Sequence, residues 1–538
     1  MKSVIKFHFS VLLVLLLGSL AVAQTKGAGM APKVVTVTSP SPLYHVQVMV
    51  RTGSASDPAG KEGLTNLVAR AMLEGGFGDP KNPVTKERLA EITRPWGSAA
   101  LPMVRVDKQA TTFRMTVPKD VWPQFVNTIL KPMMTQPLFQ ANEIERLRKE
   151  ALTAIQSRLR LEQQEMLGLE AVESYIFAGT RFQHVAGGTV QGLNAITRDD
   201  LQNHFRTYFT GGNMIIAASF TDAAALDLLK SAVPQGGGSA QPEIGMPQKI
   251  AGRELLIVTQ PNAIATGIHF GFPIPVKRGD PDYWPLFVAN TWLGTHRDDF
   301  SHLYQVIRAD RGYNYGDYSY IEYLAARPFS MFPPPTTPRS QQYFSVWIRP
   351  VADKYAHFVL KAATYEVDQF VRNGLTPEQV EAAKIKARTL YLNYAENTMR
   401  QLGYRLDDVF YGMEDRGYLN EMLKNVDAVT PDQVNAAIRK HLQTANLRYV
   451  ITTNEKFAEK LADDIASNTN CTPKTLEEYH ITEPVPPGKQ KLLEQDKQWI
   501  AYPLNIKRSD IRIVKAEQMF ETAAVPGITP AAAQGATP

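Results

Sequence analysis

A chain of 538 residues with 44% apolar and 21% charged side chains is too long for one ordinary core and too apolar to be disordered. At roughly 100–200 residues per domain, two or three domains are expected. The formal charge of +5 includes Lys2 and Lys6, which lie in a segment expected to be removed, so there is no electrostatic case for nucleic acid as a partner.

Lys2 and Lys6 precede an unbroken apolar run from Val11 to Leu17, and Ala21-Val22-Ala23 is a small-residue cleavage site. The pattern predicts a signal peptide over 1–23 and an exported product, periplasmic or secreted, that begins at Gln24. The run is shorter than the about 20 apolar residues a bilayer requires, so no stable membrane anchor is expected. The cleavage point carries no cysteine for lipid attachment, and Cys471 alone cannot form an internal disulfide.

His45 to Arg51 alternates as a strand should. A loop from Gly53 to Gly63 then leads into a helical pattern. Leu64, Leu67, Val68, Ala71 and Met72 form its buried face, while Asn66, Ala69 and Arg70 share another. Asn142 to Leu161 and Pro377 to Asn393 read as long amphipathic helices. His296 and His302, six apart, would stand on opposite sides of a helix and read as ordinary histidines.

The chain repeats itself. Asn194-Ala195-Ile196-Thr197-Arg198-Asp199-Asp200-Leu201 is matched by Asp427-Ala428-Val429-Thr430-Pro431-Asp432-Gln433-Val434 at an offset of 233 residues. Upstream, Asp120, Trp122, Phe125 and Val126 match Asp353, Tyr355, Phe358 and Val359 at the same offset. A constant offset in two separate segments predicts two copies of one domain of about 200 residues. In each copy a Thr caps a helix, and a short apolar strand follows an Asn-containing turn. The mixture of elements predicts an α+β class, each domain a largely antiparallel sheet covered by helices. The first domain is expected over 33–222, a linker over 223–249 around Gln235-Gly236-Gly237-Gly238, and the second domain over 250–455. An extension with one helical stretch and the turn Pro484-Val485-Pro486-Pro487 covers 456–520, and an Ala/Pro/Gly-rich tail over 521–538 is expected to be disordered.

The segment Gly53 to Gly76 resembles the zinc-site helix of the insulinase-like metalloproteases, the family that includes pitrilysin and the mitochondrial processing peptidases. In that family a Gly-Ser turn, an acidic loop and Gly-Leu precede His-x-x-Glu-His. Two imidazoles bind zinc, the glutamate takes a proton from zinc-bound water, and a later glutamate completes the site. Here Asn66 stands at the first His, Ala69 at the Glu and Arg70 at the second His, with Glu145 and Glu150 near the place of the later ligand. An amide is a poor zinc ligand, a methyl group is no base, and a guanidinium repels a cation. Gln183-His184-Val185-Ala186-Gly187-Gly188 likewise departs from the family's usual His-Pro-Tyr-Gly-like segment.

A second signature, Leu303 to Gly316, resembles the family's Leu, Arg, Gly and Tyr pattern in the second copy. The resemblance implies that Arg308 and Tyr315 hold substrate and stabilise the developing oxyanion across a clam-like chamber. It therefore implies a zinc-lacking subunit of a heterodimeric peptidase. Such a chain would hold no cofactor itself, be inactive alone, and act with a zinc-bearing insulinase-like partner on a peptide substrate. The alternative is a peptide-binding or structural protein of the same fold with no role in proteolysis.

Overall fold

The computed structural model describes residues 31–238, 241–323, 325 and 334–528. The expected signal peptide and residues 529–538 of the expected tail lie outside the described residues.

Two sheets dominate. The first contains β1 (Lys33–Thr36), β2 (Leu43–Val50), β3 (Met103–Val106), β4 (Thr111–Pro118) and β5 (Met214–Ala218) in the order β1-β5-β2-β4-β3. The second contains β6 (Arg253–Gln260), β7 (Thr266–Ile274), β8 (Asp317–Tyr320), β9 (Gln342–Val351), β10 (Leu447–Asn454) and β11 (Ile511–Lys515) in the order β11-β6-β10-β7-β9-β8. With β11 set aside the two orders are the same, and each places its one parallel pair at the equivalent position, β1 with β5 and β6 with β10. The sheets are therefore mixed, and largely antiparallel as the alternating sequences suggest. The repeat is also exact in one pair of helices. Arg198–Tyr208 and Pro431–His441 differ by the offset of 233, and each opens with a reciprocal cap in which Thr197 or Thr430 accepts from the backbone N–H three residues on.

Alternation puts Val46, Val48, Phe113 and Met115 on the outer face of the first sheet, in a core completed by the flanking helices. Leu255, Ile257, Ile268, Phe270 and Ile348 do the same for the second sheet. The inner faces are covered reciprocally. Helix Thr398–Phe410, from the second half, lies on β1, β2 and β5, where Leu402 and Leu406 meet Met49, Ile215 and Ala217. Helix Gln164–Ile176, from the first half, lies on β7 and β10. It approaches so closely that a Cβ on Gly168 would sit 2.1 Å from the ring of His269, which only glycine permits. Polar bonds reinforce the seam. Arg349 grips Glu165 through two bonds of 2.8 and 2.9 Å, and the Gln164 amide donates to the Ala265 and Thr452 carbonyls.

The extension is part of both halves. Helix Pro487–Ala501 packs on helix Ala356–Asn373, where the fully buried Trp499 donates to Glu366 at 2.8 Å. β11 then pairs in parallel with β6, which makes it the edge of the second sheet. Phe520 and Val525 finish in the first core, so the expectation of a disordered tail from 521 is corrected as far as 528. The sequence hides this because Ala, Pro and Gly dominate around only two larger apolar residues, Val525 and Ile528. His296 and His302 do not share a helix as expected; they lie beyond the end of helix Tyr283–Gly294. His296 bonds the Tyr320 hydroxyl at 2.7 Å and His302 bonds Glu366 at 2.6 Å. Among the described residues no helix is long and apolar enough to cross a membrane.

Candidate functional site

The helix Leu64–Glu74 is anchored at its start by a buried carboxylate. Asp57 accepts from the Gly63 and Thr65 N–H groups, both at 2.7 Å, and from the Thr65 hydroxyl at 2.6 Å. Gly63, at φ 105°, makes the turn into the helix where a side chain would strike Leu193 and Gly188. His184, from the segment that departs from the family pattern, stands 3.4 Å from the same carboxylate. Leu64, Leu67, Val68, Ala71 and Met72 are all buried, as their spacing predicts. Asn66 and Arg70 look outward and are half-buried. Ala69, expected on their face, is fully buried in the core, because the one-residue step rotates it inward.

Arg70 belongs to a ladder of charges between two helices. Its guanidinium bonds Glu150 on helix Ala141–Thr153 and Glu74 one turn along its own helix. Arg146 bonds the other Glu150 oxygen at 2.8 Å. Burial pulls the Glu150 carboxyl upward, but its bonds to Arg70 and Arg146 win and hold it below the usual carboxylate range. Glu145 turns away, half exposed, to Arg148 and Lys149.

Asn66 and Arg70 open on a cavity of about 260 Å³ between the halves. The first half contributes Arg105, Lys108 and Glu170 to its wall, and the second half contributes Tyr323 and Arg339. Behind the wall is a buried ion network. Arg339 grips Asp107 at 2.7 Å and Glu173 at 2.8 Å, while Lys108 reaches Glu173 at 3.2 Å and donates to the His184 carbonyl. The Arg339 guanidinium also lies 3.4 Å from the centre of the Tyr323 ring. Burial, followed by the charge of Glu173, pushes the Glu170 carboxyl up to about 7.

The second expected pair is elsewhere. Arg308 sits on the helical turn Tyr304–Ala309, half-buried, 5.3 Å from the centre of the Tyr304 ring. Tyr315 is 76% exposed. Burial raises the carboxyl of neighbouring Asp317 and the Arg308 charge opposes it. Neither Arg308 nor Tyr315 lines the cavity that Asn66 and Arg70 share. The residues that do face Asn66 from the second half, Tyr323 and Arg339, carried no motif. Arg339 follows the Pro-rich run Pro333 to Pro338, which reads as a plain loop.

Comparison with known proteins places this architecture. Residues 33–184 match the family model for insulinase, peptidase family M16, and residues 195–386 match the model for the peptidase M16 inactive domain.

The chain belongs to the insulinase family of peptidases.

Within that family it is 25% identical over 294 residues to an uncharacterised zinc protease of Streptomyces coelicolor, a match spanning 52% of this chain and 59% of that protein. It is 21% identical over 444 residues to the non-peptidase homologue YmxG of Helicobacter pylori, a match spanning 77% of this chain and 90% of that one. Among solved structures it is similar to a peptidase M16 inactive domain from Pseudomonas fluorescens, with a TM-score of 0.65, 18% identity, and coverage of 79% of this chain and 96% of that one. A protease from Helicobacter pylori aligns with the same TM-score at 12% identity, covering 79% of this chain and 99% of that one. At these identities the solved structures speak for the fold, two insulinase-type domains of the α+β class.

The family's zinc does not fit the residues present. Of the three motif positions, Asn66 offers an amide, Ala69 is buried in the core, and Arg70 holds a cation against Glu150 where a metal would need that carboxylate free. Among the described residues no group of three or more His, Cys, Asp or Glu is arranged to hold a metal ion. The chain thus has the insulinase fold with motif positions that do not suit the family's zinc.

Proposed function

We propose that this chain is the zinc-lacking subunit of an exported heterodimeric insulinase-type peptidase, inactive alone, that holds the peptide substrate for a zinc-bearing partner. The carrying observation is the Arg70–Glu150 pair. It fills the motif with a fixed positive charge, so metal chemistry has to come from a second chain. Arg308 and Tyr315 would supply oxyanion donors to the partner's site, and the exposure of Tyr315 supports a role in which another chain approaches it. A second reading, a peptide-binding or structural protein with no part in proteolysis, draws on one observation: the cavity beside Asn66 is lined by Tyr323 and Arg339 rather than by Arg308 and Tyr315.

Mixing the mature chain with a zinc-bearing family member from the same host distinguishes the two. The mixture should cleave peptides that neither chain cleaves alone. Arg308→Ala should lower its turnover by about 100-fold or more, the usual cost of one lost oxyanion donor. Tyr315→Phe should act in the same direction without changing the melting temperature of this chain. If Arg308→Ala leaves the rate of the mixture unchanged, the shared-site reading fails and the binding-protein reading replaces it.

A further inference from the structure

The helix Thr398–Phe410 covers β1, β5 and β2 on the inner face of the first sheet and reaches Ala110 at the start of β4, while among the described residues Met103 and Arg114 stand exposed beyond it. Alternation decides what this part of the face presents. Val104, Val106, Phe113 and Met115 point to the core, so Arg105 and Arg114 point the other way. The register pairs Arg105 with Thr112 and Met103 with Arg114, which makes the two arginines diagonal neighbours on one face. Burial, and after it the charge of Arg105, holds the Arg114 guanidinium below its ordinary value.

The other cations of the cavity have partners. Arg70 holds Glu150, Lys108 holds Glu173, and Arg339 holds Asp107 and Glu173. Arg105 lines the same cavity, yet neither it nor Arg114 makes an ion pair or a hydrogen bond among the described residues. The carboxylates nearest to hand are committed or weakened. Asp107 is bound to Arg339, and Glu170 sits in the wall with its charge suppressed by burial. Two like charges set diagonally on a sheet repel one another, and their forked donors suit a carboxylate laid between them. At Arg105 the surface is concave, faced across the cavity by Tyr323 and Arg339, so this end admits an extended chain and excludes a flat membrane.

We propose that the exposed part of the inner face of β3 and β4 binds an acidic peptide segment, with Arg105 and Arg114 as the residues that select its side-chain carboxylates. The inference rests on the peptide-holding reading above and adds the substrate class. Met103, 48% exposed beside the two arginines, gives the same segment an apolar contact.

The test uses the whole mature chain and two labelled peptides with blocked termini, one containing paired Glu residues and the other Gln at the same places. Binding is read by fluorescence anisotropy at low and at physiological salt. The Glu peptide should bind about tenfold tighter or more, and the margin should shrink as salt rises. Arg105→Gln with Arg114→Gln should abolish the preference without lowering the chain's melting temperature. Equal affinity for the two peptides, or a preference that survives the double substitution, overturns the acidic-peptide inference and leaves peptide holding intact. If neither peptide binds, the peptide-holding reading falls and this inference with it.

Discussion

Arg70 is bound to Glu150, 80 residues further along the chain, and the bond joins the degenerate motif to the helix that would carry the family's last metal ligand. The pair spans the two helices with a permanent cation, where a zinc ion would need that carboxylate free.

The first prediction concerns metal. Mature chain purified and dialysed should retain only substoichiometric zinc, measured by elemental analysis. The triple substitution Asn66→His, Ala69→Glu, Arg70→His restores the motif but forces a carboxylate into the place of a fully buried methyl. It should cost about 1–3 kcal/mol of stability by denaturant unfolding in the absence of metal. One tightly held zinc per wild-type chain would refute the reading of the site.

The second concerns the cation at the junction of the halves. Arg339 is 1% exposed and serves Asp107 and Glu173 together. Arg339→Ala leaves two carboxylates buried without that partner and should destabilise the chain by about 3–5 kcal/mol. Arg339→Lys should recover only part of this, because one ammonium cannot reproduce the fork that reaches both acids. A loss under about 1 kcal/mol for Arg339→Ala would show that water enters the network.

The third concerns the reciprocal helix cover. Leu406 is fully buried between helix Thr398–Phe410 and the first sheet. Leu406→Ala should cost about 2–5 kcal/mol. Limited proteolysis should then cut near residues 395–412 faster than in the wild type, because Leu402 and Leu406 are this helix's fully buried contacts with the first sheet.

The fourth is a pH dependence. One arginine, Arg278, serves both Glu322 and Asp407, all three buried. Burial pushes the Asp407 carboxyl from its ordinary 3.8 up to about 7, against the pull of Arg278 and the Thr336 N–H. A carboxyl raised in the folded state contributes stability that is complete below its unfolded value and is lost as pH rises through the folded one. Relative to Asp407→Asn, the wild type should therefore lose stability between about pH 4 and about pH 7 and level off above. Melting temperatures across that range check it; a difference that stays flat would mean that Asp407 keeps its charge throughout.

Much of the fold was legible because it depends on local pattern. The caps Thr197 and Thr430, the alternation in β2 and the 3.6-residue spacing of Leu64, Leu67, Val68, Ala71 and Met72 each stand in a few adjacent residues. The constant offset of 233 carried the duplication, and the structure shows it again in helices Arg198–Tyr208 and Pro431–His441. The site was legible only in part. Asn66, Ala69 and Arg70 were visible as departures from a motif, and no motif marks Lys108, Asp107, Glu173 or Arg339.

By itself the sequence determined the two copies, their elements and the absence of a His-x-x-Glu-His motif, since periodicity, capping and residue chemistry act over short stretches of chain. Only the tertiary structure decided that Arg70 is satisfied by Glu150, that Ala69 is sealed in the core, that β11 joins the edge of the second sheet, and that Arg105 and Arg114 make no ion pair or hydrogen bond among the described residues. Each of these is a pairing, or a missing pairing, between segments tens to hundreds of residues apart. A charge at one position reveals nothing about its partner until the chain is folded and burial sets which charges must be matched.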